Sequence, residues 1–266
     1  MTEANYRRPR KRFGQNFLID NAIIDGIIAA INPGDEDDIV EIGPGEGALT
    51  KRLINRCHRL WGIEIDRDLA ALLRDRYSGH ERFNLICQDV LEVEFSQFQT
   101  AGMLRIAGNL PYNISTPLLF KLLTSKARIS DMHFMLQKEV VDRLVAKAGE
   151  KPYGRLSVMV QYHCTVESLM TVPPAAFRPQ PKVHSAVARL QPYNRPPFLA
   201  EDYAMFENLV NAAFQQRRKT LRNSLKRLLP AGAANLDFDL AARPEELSVE
   251  QFVDLANQMS SAYGRL

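Results

Sequence analysis

Asn109, Leu110, Pro111 and Tyr112 set an amide, a main-chain carbonyl, a rigid ring and an aromatic face side by side. The Asn109 side-chain oxygen and the Leu110 carbonyl can both accept hydrogen bonds from an exocyclic amine, while the Tyr112 ring stacks on the base that carries it. Such bonds draw the amine lone pair out of conjugation. An aryl amine is otherwise a poor nucleophile, so a site that pyramidalises its nitrogen lowers the barrier to attack. Taken alone, the tetrapeptide is equally a proline turn with a surface tyrosine.

A second cluster narrows the choice. Val40 to Thr50 places Gly43, Gly45 and Gly47 where an apolar run ends and a helix begins, a setting in which a ligand approaches the backbone closely. Twenty-one residues beyond Gly43, Glu64 ends the next apolar run, where an acid accepts hydrogen bonds from both hydroxyls of a ribose. Gly43, Gly45 and Ala48 also satisfy the relaxed dinucleotide fingerprint, so a nicotinamide enzyme stays open at this point. Three acids and amides lean the other way. Glu41 precedes the loop, where it can position the loop or an ammonium group; Asp89 follows the third run, where it can meet an adenine amine; and Asn109 follows the fourth. An acid beside the loop repels a pyrophosphate and suits the sulfonium and ammonium of S-adenosylmethionine.

The elements that must hold these groups alternate. Ile39 to Ile42, Leu60 to Ile65, Phe83 to Cys87, Leu104 to Ala107 and Met132 to Leu136 are short β-rich runs, with helical patterns at Asp66 to Tyr77 and Thr116 to Leu123 between them. That order predicts parallel strands with crossover helices. Val183 to Leu190 alternates after the proline-rich stretch 173–181 and is expected to close the sheet. Pro192, Pro196 and Pro197 then separate a body over residues 1–191 from a smaller all-α domain over 192–266, with helices at Glu201 to Phe214, Arg217 to Leu229 and Ser248 to Ser260. Ser248 and Gln251 form a capping-box pair at the last of these.

Composition excludes other classes. At 45% apolar and 24% charged, the 266 residues are neither disordered nor a coiled coil. Cys57, Cys87 and Cys164 are odd in number and lack CxxC spacing, and the five histidines are scattered singly, so the expectation is a reducing, cytoplasmic setting with no metal. No apolar run approaches the ~18 residues that span a bilayer, so no membrane partner is expected, and monomer is the default. The net charge of +3 hides two basic blocks. Arg7, Arg8, Arg10, Lys11 and Arg12 lie in a tail over residues 1–12, and Arg217, Arg218, Lys219, Arg222, Lys226 and Arg227 occur with no intervening acid. Two such blocks favour RNA or DNA.

Lys11 to Leu18, Glu41 to Gly47, Glu64 to Asp66, Gln88-Asp89, Asn109 to Ser115, Met135 to Val140, Tyr153 to Ser157 and Phe177 to Val183 together resemble the small-subunit ribosomal RNA adenine dimethyltransferases that use S-adenosylmethionine. The resemblance covers nearly the whole chain and implies a Rossmann-like class I methyltransferase sheet. It implies dimethylation of N6 of two adjacent adenosines near the 3′ end of 16S rRNA, in the immature 30S subunit. By position, Asn16 and Leu18 would cover the cofactor, Gly43 and Gly45 form its loop, Glu64 hold the ribose and Asp89 meet the adenine amine. Asn109 would touch cofactor and target, Leu110 and Tyr112 hold the flipped base, and Phe177 stack on its other face. A large-subunit relative that dimethylates one adenosine, or an assembly factor acting mainly by binding, are the competing readings.

Overall fold

The computed structural model describes residues 15–98, 100, 102–125, 128–216, 219–229 and 236–263. In chain order the elements are β1 (Phe17–Leu18), α1 (Asn21–Ile31), β2 (Asp38–Ile42), α2 (Thr50–Leu53), β3 (Arg59–Ile63), α3 (Arg67–Arg76), β4 (Phe83–Ile86), β5 (Leu104–Asn109), α4 (Ser115–Leu123), β6 (Ile129–Gln137), α5 (Lys138–Val145), α6 (Arg155–His163), β7 (Cys164–Val172), β8 (Phe177–Arg178), β9 (Ser185–Pro192), α7 (Tyr203–Gln215), α8 (Leu221–Ser224) and α9 (Val249–Tyr263).

The apolar runs become strands of one sheet, ordered β4-β3-β2-β5-β6-β9-β7, but β9 lies inside it and the edge is β7, a strand not expected from the sequence. The first five are parallel and β9 runs antiparallel to β6. All five residues of β2 are buried, the acids Asp38 and Glu41 among them, as in an inner strand of a parallel sheet. From β2 the chain moves outward through β3 and β4, then returns to β5 on the other side. The carboxyl ends of β2 and β5 therefore flank a topological switch point, where open α/β sheets bind ligands. At that point Gly108 of β5 sits so close to β2 that a Cβ on it would lie 2.4 Å from the Ile42 carbonyl oxygen.

Local signals set the helix ends. Asp20 accepts from the Ala22 and Ile23 N–H groups to cap α1, and Asn32 ends it in the left-handed conformation at φ 47°. Asp66 caps α3, whose first turn carries Asp68 and whose last turn carries Arg74 and Arg76, in line with the helix dipole. At the amino edge of the sheet, Arg105 grips Asp131 through two bonds of 2.9 and 2.8 Å, Asp37 at 2.7 Å, and the Ile31 and Asn32 carbonyls at the end of α1.

The chain divides into two compact units, but not at a single point: residues up to Val141 with Glu167–Pro192 form one, and Asp142–Val166 with Tyr193 onward form the other. The expected boundary at 191/192 is therefore corrected by an earlier excursion over 142–166. The reason is packing. Tyr153 donates its hydroxyl to the Leu247 carbonyl at 2.8 Å, Gly149 N–H reaches the Glu245 carbonyl at 2.7 Å, and Tyr162 lies 4.7 Å from Phe206 between ring centroids. The second unit is helical, built on α6, α7 and α9, and α9 starts with the Ser248–Gln251 reciprocal cap expected from the sequence. The helix expected over 217–229 contracts to α8, four residues long. There Ser224 Oγ turns back to the Thr220 and Leu221 carbonyls and Asn223 bonds the Thr220 hydroxyl, local bonds that compete with helix propagation.

Candidate active site

The switch point opens into a cavity of about 200 Å³, bordered by Gln15 to Phe17, the glycine loop, the ends of β3 and β4, and Asn109 to Ile114. Gly43 and Gly45 both adopt left-handed backbone, at φ 66° and 59°. A Cβ on Gly45 would press on the Phe17 ring at 3.2 Å, so glycine there admits the segment that crosses above it.

Glu64, 4% exposed at the end of β3, binds this loop: Oε2 accepts from Gly45 N–H at 3.0 Å and Oε1 from Asp66 N–H at 2.9 Å. Burial raises its pKa, and those two N–H groups work against the rise. Glu41, 2% exposed on β2, accepts from the Thr50 hydroxyl at 2.6 Å, where α2 begins. Burial pushes its carboxyl up to about 7, opposed by hydrogen bonds from Thr50. Of its two anticipated roles, the contacts show loop positioning. Two buried acids, one on β2 and one just past β3, thus hold the middle and the exit of one loop.

Asp89 follows β4 and borders the cavity; its Oδ1 accepts from Leu91 N–H at 2.9 Å. Lys121 of α4 ties the same turn by bonding the Leu91 carbonyl at 2.7 Å. Beside these acids lie Val90 and Ile65, the latter 43% exposed although isoleucine is strongly apolar. The strand run read as Leu60 to Ile65 ends at Ile63, which releases Ile65 to the cavity. An apolar residue directly after a strand-ending acid was the signal that would have found it.

Asn109 ends β5 and donates its Nδ2 to the Asn16 carbonyl at 2.9 Å. Next to it Leu110, 1% exposed, is fixed by its N–H bonding the Met135 carbonyl at 3.2 Å. Tyr112 is half-buried, its hydroxyl 2.9 Å from the Ser185 Oγ on β9, and Ser115 Oγ donates to its carbonyl at 3.1 Å. The cavity thus brings together Asn16, Gly43, Gly45, Glu64, Asp89, Asn109, Leu110 and Tyr112 from the sequence-derived set, and adds Gln15, Phe17, Gln88, Ile65 and Val90.

Two members of that set do not border this cavity, although Leu18 lies beside the glycine loop and Asn109. Phe177, expected to stack on a target base, is 2% exposed and packs in the apolar core with Leu18, Ala176 and Val187. Leu18, expected to cover a cofactor, is 7% exposed and pairs with Phe177 in the two-stranded β1/β8 ribbon. Alternation along β1 decides this: Phe17 faces the cavity, so Leu18 faces the core. Of the basic groups, Lys219, Arg222 and Lys226 are exposed on the second unit. Arg7, Arg8, Arg10, Lys11, Arg12, Arg217 and Arg218 lie outside the described residues.

Comparison with known proteins agrees with this geometry. A family model described as ribosomal RNA adenine dimethylase matches residues 6–261. The chain is 52% identical over 250 residues to the Ribosomal RNA small subunit methyltransferase A of Hahella chejuensis, covering 93% of this chain and 92% of that one. It is 53% identical over 254 residues to the protein of the same name from Acinetobacter baylyi, covering 95% and 93%. Among solved structures it is similar to a dimethyladenosine transferase from Plasmodium falciparum, with a TM-score of 0.75 at 26% identity over 90% of this chain and 95% of that one. It is also similar to the 23S rRNA methyltransferase ErmE, with a TM-score of 0.72 at 26% identity over 92% and 100%.

Proposed function

The chain belongs to the ribosomal RNA adenine dimethylase family, and from that premise we propose that it transfers two methyl groups to N6 of each of two adjacent adenosines near the 3′ end of 16S rRNA in the immature 30S subunit. The relatives that share about half of its residues are named for the small subunit, whereas ErmE, named for 23S rRNA, shares 26%. The observation that carries the reading is the Asn109 amide, held at the junction of the glycine loop and the Tyr112 turn.

The cavity suits S-adenosylmethionine, which supplies a methyl group on a cationic sulfonium. Glu64 and Asp89 give it an acidic lining, Glu64 at the place of a ribose and Asp89 at that of an adenine amine, with Ile65 and Val90 offering apolar faces to a purine. Gly43 and Gly45 leave room for the amino acid end.

Asn109 acts on the target. Because its Nδ2 is engaged by the Asn16 carbonyl, Oδ1 is the acceptor it presents, which is the polarity that binding an N6 amine requires. With the Leu110 carbonyl it orients the nitrogen lone pair, and Tyr112, restrained through Ser185, provides the stacking face for an extruded base. No strong general base is needed, since the nitrogen becomes acidic only as it is alkylated and its proton leaves to water. Lys219, Arg222 and Lys226, with the two arginine-rich segments, contact RNA phosphates in this reading. It further takes the protein as a cytoplasmic monomer. Methyl incorporation into purified immature small subunits, large subunits and naked RNA tests the assignment; incorporation confined to large subunits would overturn it.

A further inference from the structure

Residues 179–184, which join β8 to β9, carry no role in the proposed transfer, yet both ends of this loop are fastened to the cavity. Arg178 at its start is the antiparallel partner of Phe17, which borders the cavity, and Ser185 at its close bonds the Tyr112 hydroxyl at 2.9 Å. Between them run Pro179, Gln180, Pro181, Lys182, Val183 and His184, all but half-buried Pro181 exposed. The stretch from Arg178 to His184 holds an arginine, a lysine and a histidine and no acid, beside a cavity whose charged side chains Glu64 and Asp89 are acidic. Two prolines restrict the backbone, so presenting this edge costs little ordering entropy. Val183 stands 44% exposed in its middle, an apolar side chain with no core to fill.

We infer that Arg178, Lys182, Val183 and His184 form a docking edge for the single-stranded RNA that flanks the target adenosine. Arg178 and Lys182 meet phosphates, and Val183 and His184 lie against the neighbouring sugar and base. A positive edge next to an acidic cavity separates two tasks: the cavity accepts a cationic cofactor and a neutral base, and the edge holds the anionic strand from which that base is extruded. This inference rests on the proposed function and assigns to that site a surface for the strand on one side of the base.

Lys182→Ala with His184→Ala, and separately Lys182→Glu, test it, since these exposed side chains carry no part of the core. The measurement is the affinity for a small-subunit rRNA fragment bearing the two adenosines, over a series of salt concentrations, beside the affinity for S-adenosylhomocysteine. The double variant is expected to bind the fragment several-fold more weakly and, through Lys182, to lower the slope of log affinity against log salt by roughly 0.7. Lys182→Glu is expected to weaken it further, with cofactor-product affinity unchanged in both variants. RNA affinity and salt slope equal to wild type in both variants would overturn the inference while leaving the proposed function standing. A wild-type protein that neither binds nor methylates the fragment or the small subunit would overturn the proposed function and this inference with it.

Discussion

The Asn109 side chain and the Asn16 main chain meet across ninety-three positions of sequence, Nδ2 donating to the carbonyl at 2.9 Å. That single bond fixes which end of the amide faces a substrate, and it joins the proposed catalytic group to the segment lying over the cofactor loop. Asn109→Ala removes the acceptor, and single-turnover methylation of RNA is expected to slow by roughly 10²- to 10³-fold, with cofactor affinity changing far less. A wild-type rate in that variant would refute the role.

Tyr112 and Ser185 are expected to act as one unit. Tyr112→Phe and Ser185→Ala each remove the same 2.9 Å bond and are expected to lower kcat/KM for RNA about fivefold, from a net hydrogen bond of about 1 kcal/mol. The double variant should then be no worse than either single one. Additive losses would show that the two side chains act separately.

Glu64→Ala deletes the carboxylate that receives Gly45 and Asp66 N–H. Hydrogen bonds to a charged group are worth about 1.5–3 kcal/mol, so calorimetric affinity for S-adenosylhomocysteine is expected to fall by roughly 10- to 150-fold. Unaltered affinity would place the ribose elsewhere.

Glu41 gives a pH signature. Its carboxyl is raised from 4.5 to about 7 by burial, so the folded chain holds the proton more tightly than the unfolded one. Its contribution to stability is therefore whole below pH 4.5, declines as pH rises, and is lost above about 7. Glu41→Gln keeps an acceptor for Thr50 and removes the titration. Urea unfolding at pH 5 and pH 8 should show the variant gaining on wild type at the higher pH, by at most about 3 kcal/mol. An identical difference at both pH values would contradict the burial of a titrating acid there.

Much of this is legible in the amino-acid sequence. Five apolar-rich runs located five parallel strands because the inner strands of such a sheet favour apolar residues, and the glycines with Glu64, Asp89 and Asn109 marked the carboxyl edge. What stayed hidden was long-range. Phe177 looked like a presented ring because prolines surround it, but pairing with Leu18 turns it inward, and pairing between residues so far apart leaves no local trace. Residues 142–166 joined the helical unit for the same reason, through Tyr153 and Gly149 reaching Leu247 and Glu245. Gln15 and Phe17 became visible as cavity residues only once β1 was seen to cross the loop at Gly45.

The ribbon of β1 and β8 is two residues long on each strand. So short a pairing is helped by Gln15 on Asp66 and Asn16 on Asn109, and by the burial of Leu18 and Phe177 in the core. The cover over the glycine loop is thus anchored through the core beneath it as well as along its edge.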